Sequence, residues 1–210
     1  MSTKLDIFSD PVCPWCYIGK ARLERALEQR PDHPLIIEWH PFMLNPTMPP
    51  EGMDRREYLQ AKFGPPDEVV RVHLPIVQAC EELGLPLELE KMERNPSTLN
   101  AHRLIHWAGL EGHQNAVVSA LFRANFAEGR DIGDRDTLLD IAERTGMDRA
   151  VTARLLDSDA DADDIRARDA DIRARGLQGV PAFILGRQYV LNGAQPVDTW
   201  LNILDQLAAA

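Results

Sequence analysis

The chain has 210 residues and a net charge of −10, with 44% apolar and 27% charged residues, a globular balance that excludes wholesale disorder. Its acid excess argues against a nucleic-acid partner, since phosphate-backbone binding rests on Lys and Arg. Three cysteines are too few for a disulfide-framework fold, and no run approaches the ~18 apolar residues of a membrane span.

The first ten residues hold no apolar signal segment, and Asp6 sits where one would be greasy. The expectation is a cytoplasmic protein with reduced thiols. Leu5, Ile7 and Ser9 alternate with Asp6 and Phe8, which predicts a strand over residues 4–9. Asp10-Pro11 breaks it. A helix is predicted from Cys13 to Arg30: Pro14 suits the first turn, where its missing N–H costs nothing, and Ile18, Leu23, Ala26 and Leu27 recur at near-helical spacing. Leu35 to His40 is β-rich and stops at Pro41, giving strand, helix, strand with a connection long enough for a parallel crossover.

Pro41, Pro46, Pro49 and Pro50 predict a loop over residues 41–53. Residues 54–157 then read as five or six helices separated by Gly and Pro signals such as Gly64-Pro65-Pro66, Gly84-Leu85-Pro86 and Asn95-Pro96, with Leu85–Leu89 extended. Over residues 159–175 acids come first (Asp159, Asp161, Asp163, Asp164) and arginines last (Arg173, Arg175), which complements a helix dipole. A calcium loop fails there: positions six and twelve are Ala162 and Arg168, or Asp164 and Ala170, where Gly and Glu are needed. Gly176 ends the helix, Pro181–Leu185 and Gln188–Leu191 form a hairpin about Gly186-Arg187, and Pro196 opens a final helix with Trp200 and Leu204 on its apolar side.

The two ends read β-α-β and α-β-β-α. Neither has enough strands for a stable core alone, so together they predict one four-stranded α/β sheet with helices on both faces. The expected organisation is a discontinuous thioredoxin-like domain, residues 1–44 and 158–210, with a large all-helical insertion over 45–157.

Cys13-Pro14-Trp15-Cys16 stands where the first strand ends and the first helix begins. Disulfide exchange needs a thiolate, and a helix N-terminus stabilises one through unpaired N–H groups and the helix dipole. Cys13, at the cap, is the expected nucleophile; Cys16, one turn in, the more buried resolving thiol, with Pro14 and Trp15 tuning the pair. A structural zinc site would need two further ligands. His102 and His106 share a helix face but lack the Glu of a hydrolytic motif, and they read as packing or helix-surface residues. Two inert buried cysteines remain a competing reading. Cys80, among Val77, Ala79 and Leu83, reads as a small core residue. In this layout the Val180-Pro181 bond lies opposite the CxxC helix, where a cis bond would leave Val180's backbone free to pair with an extended substrate segment. Tyr17, Trp39, His40 and Phe42 are candidates for lining the groove or for plain packing, and Asp10 and Glu38 for tuning the thiols or for plain surface charge.

These residues carry a resemblance. Asp10–Gly19, Trp39-His40-Pro41-Phe42, Ala101-His102-Arg103, Glu128–Ile132, Gly179–Phe183 and Gly193–Pro196 resemble the DsbA-like branch of the thioredoxin superfamily over nearly the whole chain. Within it, the chain is similar to FrnE-type oxidoreductases, relatives of 2-hydroxychromene-2-carboxylate isomerase and kappa-class glutathione transferase. The resemblance implies a thiol–disulfide oxidoreductase or isomerase with Cys13 as nucleophile, Cys16 as resolving thiol, Pro181 as the cis-proline and the inserted helices roofing the site. It implies protein or small-molecule disulfides as substrates, glutathione as a candidate reductant or co-substrate, no metal or organic cofactor, and a homodimer as one assembly open to it. The isomerase and kappa-class relatives usually have Ser at the place of Cys13 and a Ser/Asp pair where Ala194-Gln195 stands, so both positions favour thiol–disulfide chemistry. A glutathione-dependent isomerase or transferase, and a non-catalytic peptide-binding or chaperone-like module, are the alternatives.

Overall fold

The computed structural model describes residues 2–209. Along the chain run β1 (Thr3–Ser9), α1 (Pro14–Gln29), β2 (Leu35–Pro41), β3 (Met53–Asp54), α2 (Arg55–Phe63), α3 (Pro66–Leu83), β4 (Arg94–Asn95), α4 (Leu99–Leu110), α5 (Gln114–Phe122), α6 (Arg135–Arg144), α7 (Arg149–Leu156), α8 (Ala162–Ala174), β5 (Ala182–Leu185), β6 (Tyr189–Asn192) and α9 (Val197–Ala209). No helix among the described residues is long and apolar enough to cross a membrane.

Both ends of the chain contribute to one sheet of order β2-β1-β5-β6. β1 pairs parallel with β2, Ile7 opposite Trp39, and antiparallel with β5, Ile7 opposite Phe183. The register puts Leu5, Ile7, Phe183 and Leu185 on one face, all buried. Phe183 meets Trp200 of α9 edge-on at 4.9 Å, and Gly19 of α1 has no side chain to keep α1 off Pro181 and Phe183. The other face carries Asp6, Phe8, His40 and Ile184 and is partly covered by α8. This is the thioredoxin-like α/β layout predicted.

Among the described residues seven α-helices separate β2 from β5, α2 to α7 in the inserted stretch and α8 leading back to the sheet. Asp54, Asp134 and Asp148 cap α2, α6 and α7 by accepting from the N–H three residues on. Two corrections apply in this stretch. Met53-Asp54 and Arg94-Asn95 pair as a two-stranded antiparallel ribbon where only loop and helix were expected, and a pairing of two residues is too short to leave a period-two pattern. Leu85–Glu88 is irregular, and Leu89–Lys91 is a 3-10 turn rather than extended.

Residues quoted for the resemblance prove to hold elements together. Trp39 exchanges both backbone bonds with the Gln114 side chain and donates from Nε1 to Asn115 at 3.2 Å, tying β2 to α5. The Arg173 guanidinium lies 3.9 Å over the Phe42 ring and pairs with the buried Asp169, which accepts from Met43 N–H at 2.8 Å. Gly129, at φ +67°, closes the turn after a π-helical stretch, Arg123–Ala127.

Candidate active site

β1 ends at Ser9 and the chain turns through Asp10-Pro11-Val12 into α1. Cys13 is the N-cap, extended at φ −87° and ψ 113°, and Pro14 follows at the first helical position. The Cys13 N–H donates to Asp10 O at 2.9 Å, closing the turn, while Cys13 O accepts from the N–H groups of Cys16 and Tyr17. The Cys13 thiol points at Val180 O, 3.7 Å away, across the join between α1 and β5; the Val180–Pro181 peptide bond is cis.

Both thiols are free and nearly covered, Cys13 4% and Cys16 1% exposed. Their environments differ. Burial pushes the Cys16 thiol well above its ordinary range, the neighbouring Cys13 pushes it further, and Ser9 and the Asp10 backbone oppose this. A negative charge at Cys13 would therefore oppose one at Cys16.

Cys13 opens onto a cavity of about 300 Å³. Val12, Pro14, Trp15 and Val180 form its floor, and α2 and α3 close over it with Arg55, Tyr58, Lys62, Phe63, His73 and Ile76. The π-helical turn delivers Phe126 to the same wall and stacks it on Tyr17 at 5.2 Å, an arrangement sequence periodicity does not reveal. Tyr58 donates to Asn45 at 3.0 Å and accepts from Lys62 at 2.7 Å. The inserted helices thus roof the thiol.

Of the residues singled out from the sequence, Cys13, Pro14, Trp15 and Val180 come together around this cavity; Cys16 and Pro181 lie behind it. Pro181 borders instead a wider groove of about 940 Å³ on the other face of the sheet, which contains neither thiol. Tyr17, Trp39, His40 and Phe42 do not line the cavity. Tyr17 is packed with its hydroxyl on Pro86 O, and His40 bonds Asp6 at 2.6 Å on the far face. Glu38 is there too, bonded to Lys4 at 2.6 Å and remote from the thiols. Among the described residues Asp6, Glu38 and His40 make one cluster with metal-ligand spacing, but the Lys4 ammonium already bridges its two carboxylates. Asp10 is not a surface charge: it is wholly buried, accepts from Leu44 N–H at 2.7 Å and lies 3.4 Å from His102 Nε2. Arg55, Tyr58, Lys62 and His73 carry no motif; only tertiary packing brings them over Cys13.

Over residues 4–205 the sequence matches the DSBA-like thioredoxin domain. The chain belongs to that family. It is similar to a probable DsbA oxidoreductase, SCO1869 of Streptomyces coelicolor, at 30% identity and TM-score 0.87, covering 99% of this chain and 90% of that one. It is 29% identical to the uncharacterised protein YwbO of Bacillus subtilis (strain 168) over 206 residues, 95% of this chain and 94% of that protein. It shares its fold with the cytosolic disulfide reductase DsbM of Pseudomonas aeruginosa, solved with GSH, at TM-score 0.70 and 22% identity over 99% and 100% of the two chains.

Proposed function

We propose that this protein is a thiol–disulfide oxidoreductase in which Cys13 attacks and Cys16 resolves. The observation that carries the reading is the inequality of the two thiols: Cys13 lines the cavity, and Cys16 sits behind it with its ionisation suppressed. In the reducing direction the Cys13 thiolate attacks one sulfur of a substrate disulfide. A Cys13–substrate bond forms as the substrate S–S bond breaks, and one substrate half leaves as a thiolate. Cys16 then loses its proton and attacks Cys13 Sγ, releasing the second half and leaving a Cys13–Cys16 disulfide. Two electrons pass to the substrate, and the same steps reversed oxidise a dithiol. Bonding Cys13 to substrate removes one of the influences that raise Cys16, while burial, the larger one, remains.

Pro14, Trp15 and Val180 support the reading as cavity walls against which a substrate would lie. Pro181 would support the Val180 carbonyl from behind. Glutathione is our candidate for the thiol that recycles the pair, in keeping with its presence in the DsbM structure.

The test is mass spectrometry of thiol adducts after mixing with a model disulfide. The wild type should end as a Cys13–Cys16 bridge, Cys16→Ser should accumulate the mixed disulfide on Cys13, and Cys13→Ser should form neither. Adducts on Cys13 that persist in the wild type, with isomerase activity surviving Cys16→Ser, would overturn the reading in favour of a glutathione-dependent isomerase.

A further inference from the structure

The cavity over Cys13 has an unusual charge. Arg55, Lys62 and His73 line it and no Asp or Glu does, in a chain where acids outnumber bases 33 to 23. Arg55 stands out among the arginines screened from solvent. Arg103 donates to four acceptors, Arg173 to Asp169 and Met43 O, and Arg22 to Ala194 O. The Arg55 guanidinium has no carboxylate near it. Burial pulls it below its ordinary value, and no anionic side chain offsets this. A screened guanidinium without an anion is costly, and a fold that retains one at the mouth of a reactive thiol leaves the anion to be supplied from outside.

We infer that Arg55 makes this cavity selective for small disulfides that carry carboxylate groups. The inference rests on the thiol–disulfide reading and names its substrate class. The guanidinium fork matches a carboxylate in a two-bond geometry, which a lysine cannot reproduce. The volume, about 300 Å³, is at the small end for ligand cavities and fits a peptide-sized thiol rather than a loop of a folded protein. Lys62 is held by Tyr58 at 2.7 Å and contributes field rather than a second fork. Arg56, the next residue, is exposed and does not line the cavity, so it carries the same charge without the same position.

The experiment compares glutathione disulfide, which is anionic, with neutral hydroxyethyl disulfide and cationic cystamine. The ratio of kcat/KM values is taken within each variant, so that a loss of folded protein cancels. The wild type should prefer glutathione disulfide over hydroxyethyl disulfide by at least tenfold. Arg55→Met should lower that preference by about tenfold to hundredfold, the range for one charge-assisted carboxylate contact. Arg55→Lys should restore part of it, and Arg56→Met should leave it within twofold. Equal preference in the wild type, or equal losses in Arg55→Met and Arg56→Met, would overturn the inference, the second by showing only a long-range field. Binding of S-methylglutathione, which cannot exchange, separates the two claims. Arg55-dependent binding without turnover of any disulfide would refute the oxidoreductase reading and keep the site. Turnover without charge preference would do the reverse.

Discussion

Arg103 offers a quantitative check on what holds the inserted helices to the sheet domain. It sits in α4, 3% exposed, and its guanidinium donates to Ala160 O at 2.7 Å, to Leu155 O and Ser158 O at 2.6 Å, and to Asn100 Oδ1 at 2.7 Å. Three of these are backbone carbonyls, Leu155 in the last turn of α7 and Ser158 and Ala160 in the turn that leads to α8, and the group also lies 4.9 Å over the Trp107 ring. Arg103→Met keeps the stem and removes every donor. A hydrogen bond from a charged donor contributes about 1.5–3 kcal/mol, but four bonds from one group do not add, and the exposed Ser158 carbonyl regains water. The expected loss is about 3–5 kcal/mol, the range for removing one partner from a buried charged cluster. Against a typical domain stability of about 5–15 kcal/mol this is large enough to read from urea unfolding followed by far-UV dichroism. Alkylation of Cys13 in the variant's folded fraction should keep its wild-type rate, because Arg103 does not line the cavity. A stability change under 1 kcal/mol would refute the clamp, and a changed alkylation rate would move Arg103 into the active site.

Three further outcomes follow from the packing. Burial and the nearby Arg168 hold the His40 ring below its ordinary pKa despite Asp6 and Glu38, so the unfolded chain binds its proton more readily and stability falls as pH drops through about 6.5; His40→Gln should flatten the urea midpoint between pH 7 and pH 5. The lowered Asp6 carboxyl loses its share only further down, below about pH 4, and that second decline should persist in the variant. Gly129→Ala should destabilise by at least about 2 kcal/mol in thermal unfolding, since φ is +67° and an added methyl meets the Lys91 side chain and its carbonyl; a neutral result would mean the turn relaxes freely. Burial pushes the Cys80 thiol up to about 11, so iodoacetamide at pH 8 should leave it unlabelled in the folded protein, and Cys80→Ala should leave exchange rates within twofold.

The sheet and its flanking helices were legible because their signals are local. Alternation at Leu5 and Ile7, the β-rich run Leu35–His40, and punctuation at Asp10-Pro11, Gly176 and Gly186 are set by backbone sterics within a few residues. The CxxC position was legible for the same reason, since a cysteine before Pro14 at a strand-to-helix junction becomes an N-cap wherever the junction forms. Long-range choices left no such trace. The β3–β4 ribbon joins residues about forty apart through two pairs, and the π-helical turn that aims Phe126 departs from the period a sequence reader counts. Asp10 reads in sequence as a thiol-tuning acid or a surface charge, and only the approach of α4 and the chain after β2 buries it between His102 and Leu44.

By itself the sequence determined a cysteine pair at a strand-to-helix junction, two half-sheets that join into one, and a helical block between them. The tertiary structure decided which charges Cys13 faces. Arg55 and Arg56 are identical neighbours in sequence, and one lines the cavity over Cys13 while the other points to water, because successive residues on a helix lie about 100° apart and only packing fixes which direction is inward.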